Sequence, residues 1–421
     1  MRPELLTLAQ TPGAALALAA ELRARVPGPE SVADAVAEIV ADVRRRGDAA
    51  LAEYGRRFEG ESGEPARVPP AELAAALTAL TPDLRTALEL ARANIEAVAA
   101  AGVPADVDVL LPQGHRVRLR ELAVDRAAIY APGGRAPYPS TVLMGVMAAR
   151  AAGVPDVVVC SPGGALIHAA CALCGVQEVH RIGGAQAIAA LALGTATVAP
   201  VDVVVGPGNL YVQEAKRQLS GLVGIDGFAG PSDLVVLAAA GADPGLIALD
   251  LLAQAEHGPG TLVVALCDDE GLLDAVQAAL GAGTAAAQEQ ALCALVTTPT
   301  VEAGLALAEA LAPEHLQLCG PEAEARARSV RRAGCLFVGP GAGTAFGDYV
   351  AGSNHVLPTG GAARHASGLS PRHFMRRMAE VRIEPAAAAR LAPAGSLIAE
   401  AEGFAAHAES MRARMGDNGG P

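Results

Sequence analysis

Lysine is almost missing from this chain: Lys216 is the only one in 421 residues, although arginine is plentiful. Schiff-base chemistry thus has a single candidate nucleophile, and catalysis of the pyridoxal type is not expected. Positive charge is in deficit overall, with a formal net charge of −13, so nucleic acid and anionic membrane surfaces are not expected partners. Long apolar runs are missing too, and the high hydrophobicity comes from alanine. The most apolar window, 187–201, contains Thr195, Thr197 and Pro200 and runs into Asp202, too short and interrupted to span a bilayer. Glu4, Gln10, Thr11 and Pro12 break up the apolar character a signal core would need, so a cytoplasmic protein is expected. No G-x-G-x-x-G follows a strand-like run, which excludes the ordinary dinucleotide fingerprint, and no H-E-x-x-H marks a zinc protease.

What is present is an alternation of two periodicities. From about residue 126 the runs 127–131, 157–160, 178–182, 201–205, 234–237, 262–266, 292–297 and 335–338 are short, apolar and mostly β-branched. Ala/Leu-rich helical segments such as 185–193, 209–219 and 246–257 separate them. Continuous apolar strands alternating with helices predict parallel sheets covered on both faces, an α/β fold. Two successive blocks of this kind would fit a duplicated domain. The first hundred residues read as helical, with Ser31 a plausible N-cap for a helix through Arg45, and with Pro82-Asp83 opening another that ends near Ala101. Residues 55–70 form a polar loop. After Pro371 the chain is expected to turn helical, ending in a frayed Gly/Pro tail. Seven cysteines lie scattered in apolar segments, which favours buried, reduced thiols. Cys171 and Cys174 form a C-x-x-C inside a helical pattern rather than after a strand, so a structural role is expected.

Several strand-like runs end in glycine turns: Pro132-Gly133-Gly134, Gly183-Gly184-Ala185-Gln186 and Gly206-Pro207-Gly208-Asn209. Glycine there lets a ligand approach the backbone, and the helix N-terminus that follows favours phosphate, but any α/β protein also needs tight turns. Gln254 and His257 are three apart at the end of a helical segment and project from one face. That pair can hold a metal or simply satisfy a helix end. Asp348 follows Gly347 near Ser353, Asn354 and His355 in a polar stretch, and His407 follows Glu402 by five residues. Gln, His, Asp and His together make a nitrogen and oxygen set suited to Zn²⁺. Glu314-His315 supplies a carboxylate and an imidazole for proton transfer, provided that the backbone turns so that both reach one pocket.

From residues 47–51 almost to the C-terminus, these stretches resemble the histidinol dehydrogenase family. The likeness is densest at 181–187, 206–209, 214–217, 229–232, 254–259, 313–316 and 353–361. It implies one zinc ion per subunit on Gln254, His257, Asp348 and His407, acid/base catalysis by Glu314 and His315, and NAD contacts at Tyr130, Gln186 and Asn209. Substrate contacts would fall on Ser232, Gln254, His257, His315, Asp348, His355, Glu402 and His407. The implied reaction is the four-electron oxidation of L-histidinol through L-histidinaldehyde to L-histidine with two NAD⁺, the last step of histidine biosynthesis. The implied fold is a pair of similar incomplete Rossmann-like domains, one at 125–233 inserted into a larger one made of 26–124 and 234–375. An N-terminal segment, 1–25, and a helical C-terminal dimerisation segment, 376–421, complete the chain. The resemblance further implies a homodimer in which the segment bearing Glu402 and His407 completes the neighbour's site. Three other readings stay open: a relative acting on another polar alcohol, a zinc hydrolase without a dinucleotide, and a non-catalytic metal-binding scaffold.

Overall fold

The computed structural model describes residues 1–26, 29–58, 67–133, 136–227, 230–281 and 291–415. Among them the strands are β1 Glu4–Thr7, β2 Val107–Leu110, β3 Arg116–Ala123, β4 Arg126–Tyr130, β5 Asp156–Cys160, β6 Glu178–His180, β7 Val203–Val205, β8 Gly224–Ile225, β9 Asp233–Ala238, β10 Leu262–Cys267, β11 Leu292–Thr297, β12 His315–Cys319, β13 Cys335–Val338 and β14 Met375–Arg382. Contacts divide the chain into two compact units, one of Met1–Gly102 with Asp125–Phe374 and one of Val103–Val124 with Met375–Pro421.

The first unit holds two parallel sheets, ordered β6-β5-β4-β7-β8 and β1-β11-β10-β9-β12-β13. Each begins at a central strand, adds its next two strands on one side and its last two on the other. The order therefore reverses between β4 and β7 and again between β9 and β12, the topological switch points of a doubly wound fold. β1 extends the second sheet at its edge. This repeated order is the incomplete Rossmann-like pair that the family resemblance implied, built from the parallel α/β blocks that the alternating pattern predicted. Every residue of β9 and of β10 is buried, because helices cover both faces. Alternate residues serve opposite cores. Val235, Leu237, Val264 and Leu316 pack toward the helices Ala14–Ala24 and Val301–Leu311, while Leu234, Val236, Val263 and Cys319 pack toward Pro244–Ala255 and Glu270–Gly281.

In the second unit β14, β3 and β2 form an antiparallel sheet, accompanied by the helices Pro385–Ala401 and Ala405–Arg412. This corrects the expectation of helix directly after Pro371: a short 3₁₀ turn, Pro371–Phe374, leads into eight residues of strand. The segment Met375–Arg382 is rich in helix formers, but its partner is remote. It pairs along its whole length with Arg116–Ala123, with Arg377 directly opposite Glu121 at 2.7 Å. Cross-strand pairing of this kind overrides propensity. It also groups 103–124, which the expected division puts in the larger domain, with 375–421.

Two local expectations are also revised. Ser31 lies inside a 3₁₀ turn, Pro29–Val32, so the next helix starts at Ala33 with Val32 in the N-cap position. The N-terminal residues expected to be helical include the edge strand β1. The other early helix begins at Pro82, as expected, with Thr81 Oγ1 accepting from the Leu84 N–H. Cys171 is in the helix Ala165–Leu173, Cys174 caps it, and both thiols are buried and free, as the structural reading requires. The Cys174 thiol is pushed up to about 12 by burial, which removes thiolate chemistry near neutrality. Half of the expected polar loop at 55–70, namely 59–66, lies outside the described residues, as do Gly134, Ala229 and the expected Gly/Pro tail at 416–421. Residues 55–58 end the helix Asp48–Phe58 and Pro70 opens the helix Pro70–Thr78, which corrects the loop at both its ends. Among the described residues no helix is long and apolar enough to cross a membrane.

Candidate active site

Glu314 and His315 sit where β12 begins, beside the start of β9 at the switch point of the six-stranded sheet. The turn that brings both side chains to one place is built at Ala312, which closes the helix Val301–Leu311 at φ 45 and is the one non-glycine residue with positive φ among those described. Left-handed backbone is unfavourable for alanine, so this conformation is imposed by what surrounds it. After the turn Asp233 collects both neighbours. Its carboxylate accepts the Glu314 N–H at 2.8 Å, its own N–H donates to Glu314 Oε2 at 3.1 Å, and its carbonyl lies 3.3 Å from His315 Nδ1. The second Asp233 oxygen is held by Arg23 at 2.6 Å, and Arg23 also donates to the Leu311 carbonyl at 2.7 Å. Asp233 has no side-chain exposure. Sequence reading did not single out Asp233 or Arg23; the available signal was a carboxylate placed directly before an all-apolar strand, in continuity with Pro231-Ser232.

Ser232 donates to Glu314 Oε2 and accepts from Gln254 Nε2, which links the last turn of the helix Pro244–Ala255 to the carboxylate. His257 follows that helix, and its Nδ1 lies 3.0 Å from the Gln254 carbonyl. A proton on Nδ1 bonded to that carbonyl leaves the Nε2 lone pair as the coordinating atom, the tautomer usual for histidine on a metal. Asp348 comes from the short helix Thr344–Tyr349, which packs closely because position 347 is glycine: a Cβ there would fall 2.6 Å from the Phe337 ring. Its carboxylate is 3.6 Å from His315 Nε2. His355 is held by a helix from the five-stranded sheet, Pro139–Ala151, with Nε2 3.1 Å from Ser140 Oγ and its N–H on Met144 sulfur.

The charges of these groups are interdependent. Burial raises the Glu314 carboxyl above the usual carboxylate range, with the neighbouring His315 opposing it. Burial alone would lower His315, but the Glu314, Asp348 and Asp233 carboxylates outweigh it and raise the ring to about 9. Asp348 is likewise pushed up by burial, yet His315, with His355 and His257, brings it below the ordinary value. His355 is driven down to about 4 by burial and is neutral near pH 7. The first unit therefore brings Ser232, Gln254, His257, Glu314, His315, Asp348 and His355 into one neighbourhood. Glu402 and His407 belong to the other unit, the first closing the helix Pro385–Ala401 and the second lying in Ala405–Arg412, and both are exposed. Among the described residues no three His, Cys, Asp or Glu side chains gather closely enough to hold a metal on their own.

Tyr130, Gln186 and Asn209 lie at the carboxyl ends of β4, β6 and β7 or in the helices that follow them. The Tyr130 hydroxyl accepts from the Gly184 N–H at 3.1 Å, and the buried Gln186 follows in the helix Gly184–Leu193. Asn209 caps the helix Leu210–Leu219, its Oδ1 accepting from Val212 N at 3.1 Å. Gly206 sits at φ +121, and any Cβ would fall 2.0 Å from the Tyr130 carbonyl oxygen. Only glycine fits there. Two helix N-termini and this close-packed turn thus face the end of the five-stranded sheet, a favourable place for phosphate.

A model of the histidinol dehydrogenase family matches residues 23–415. The chain is 42% identical to a histidinol dehydrogenase of Gluconobacter oxydans over 94% of its own length and 96% of the relative's. It is 44% identical to one from Nocardia farcinica, covering 94% and 95% of the two chains. The crystal structure of histidinol dehydrogenase from Elizabethkingia anophelis superimposes with a TM-score of 0.90 at 30% identity, covering 99% of this chain and 98% of that one. This protein is an oxidoreductase and belongs to the histidinol dehydrogenase family.

Proposed function

We propose that the protein oxidises L-histidinol to L-histidine in two successive two-electron steps, each reducing one NAD⁺. The observation that carries the reading is the Asp233 knot, which presents a buried carboxylate and a buried imidazole side by side next to Gln254, His257 and Asp348. In the first step His315, acting in its neutral form although the neighbouring carboxylates raise it to about 9, accepts the alcohol proton as hydride leaves the carbinol carbon, giving the aldehyde. Water then adds to the aldehyde, with Glu314 placed to take a proton from it, and the hydrate gives its second hydride to NAD⁺ and a hydroxyl proton to His315, yielding the carboxylic acid, which ionises. NAD⁺, bound by Tyr130, Gln186 and Asn209, supplies the hydride acceptor in both steps.

Gln254, His257 and Asp348 offer the nitrogen and oxygen donors that zinc prefers, and the His257–Gln254 carbonyl contact fits a ligating histidine. A zinc ion held there would supply a fixed positive charge for orienting the substrate and for offsetting the Asp348 charge beside His315. Ser232 and His355 line the same neighbourhood as substrate contacts.

The set of zinc donors lacks its fourth member within the first unit, and the remaining proposed donor, His407, is exposed on a unit that also exposes Leu110, Val381, Leu397, Ile398 and Phe404. Exposed apolar side chains on the unit that carries His407, together with the family resemblance, support a homodimer in which His407 and Glu402 complete the partner's site. Mixing a His315→Asn variant with a His407→Ala variant is expected to restore up to about a quarter of the parent activity after subunit exchange, because one site of each heterodimer then carries both native residues. No recovery, with exchange verified by mass spectrometry, would mean that each site is built within one chain. The direct test of the function is NADH formed from limiting L-histidinol with excess NAD⁺. Two NADH per substrate with histidine as product supports the reading; none from zinc-loaded, folded protein removes it in favour of another polar alcohol.

A further inference from the structure

The only lysine in the chain is buried, and it does not touch the groups just described. Lys216 projects from the helix Leu210–Leu219, and its Nζ donates to the Gly206 carbonyl at 2.9 Å while pairing with the Asp226 carboxylate. Asp226, directly after β8, accepts the Gly206 N–H at 2.7 Å with its other oxygen. Both polar groups of one glycine are thus bracketed by the two members of an ion pair whose side chains are 1% and 6% exposed. Replacing such a pair by apolar residues is often neutral for stability, so its presence calls for a reason other than filling the core. The geometry of Gly206 gives one. Pressed against the Tyr130 carbonyl at positive φ, it fixes the spacing between the end of β4 and the turn that leads to Asn209.

We infer that the Lys216–Asp226 pair is a positioning device for dinucleotide binding: it clamps Gly206 so that Tyr130 and Asn209 hold the spacing that the cofactor spans. The inference rests on the reading of Tyr130, Gln186 and Asn209 as NAD⁺ contacts. The pair acts through the turn and touches no reacting atom.

The test removes both charges together, in Lys216→Met/Asp226→Leu, so that no single buried charge is stranded. The folded double variant is expected to bind NAD⁺ at least about tenfold more weakly by calorimetry while its affinity for L-histidinol is unchanged. Parent-like NAD⁺ affinity overturns the inference. Asn209→Ala and Gln186→Ala separate the two levels: if both bind NAD⁺ normally, the cofactor reading itself fails, whereas weakened binding in them beside an unaffected double variant removes only the clamp. Should the double variant not fold, the parent decides. Labelled with [¹³Cε]lysine it gives a single side-chain lysine signal, which is expected to shift on NAD⁺ addition and not on L-histidinol; a signal indifferent to NAD⁺ overturns the clamp.

Discussion

Replacement of His315 by asparagine is expected to lower kcat by about two to four orders of magnitude, the usual range for loss of a positioned proton acceptor. The imidazole is almost wholly buried and is held at one end by the Asp233 carbonyl and at the other by Asp348, with the Phe337 ring 5.8 Å away. Asparagine retains a polar group of similar reach at that position and removes the proton transfer. NAD⁺ affinity should change by less than about twofold, since the proposed cofactor contacts lie on the other sheet. Glu314→Gln should behave differently from His315→Asn. It keeps the acceptor for Ser232 and loses the base for water, so aldehyde oxidation should fall more than alcohol oxidation when the two steps are assayed from histidinol and from histidinaldehyde. A His315→Asn enzyme within tenfold of the parent, or equal losses at both steps in Glu314→Gln, would remove these roles.

The second large effect concerns stability. Asp233→Ala should destabilise the first unit by about 3–5 kcal/mol, the cost of breaking a buried charged pair. It strands the Arg23 guanidinium, leaves the Glu314 N–H without its carboxylate, and releases the N-terminal helix Ala14–Ala24 from the switch point. Asp233→Asn keeps one acceptor for Glu314 and should cost less. Urea unfolding of both variants beside the parent measures the difference. A loss below about 1 kcal/mol for the alanine variant, typical of an exposed pair, would show that Asp233 is not the anchor described.

Much of this was legible in the chain. Strands such as β9, β10 and β11 announce themselves as unbroken apolar runs, because a parallel sheet buries both faces. The Gln254-Ala255-Glu256-His257 and Pro313-Glu314-His315 stretches carry residue types that chemistry needs in places where packing does not. What stayed hidden depends on remote partners. Met375–Arg382 is composed like a helix and becomes a strand only because Arg116–Ala123 lies alongside. Asp233 is one carboxylate before an apolar run until Arg23, 210 residues away in sequence, reaches it. The proposed catalytic pair, Glu314 and His315, also sits at the amino ends of β9 and β12, where the usual rule for open α/β sheets does not look, whereas the glycine turns at the carboxyl ends of β4, β6 and β7 follow that rule.

The burial of Lys216 reaches beyond cofactor binding. The one ε-amine the chain possesses is buried against Asp226 and the Gly206 carbonyl, so acylating reagents such as succinimidyl esters should find no lysine on the folded molecule and react only with a chain-terminal amine. Acylation at Lys216 then reports openings that uncover this one amine, whether of the helix Leu210–Leu219, of the Gly206 turn and Asp226 that enclose it, or of the whole fold, which turns an ordinary labelling reaction into a clock for unfolding around one buried site.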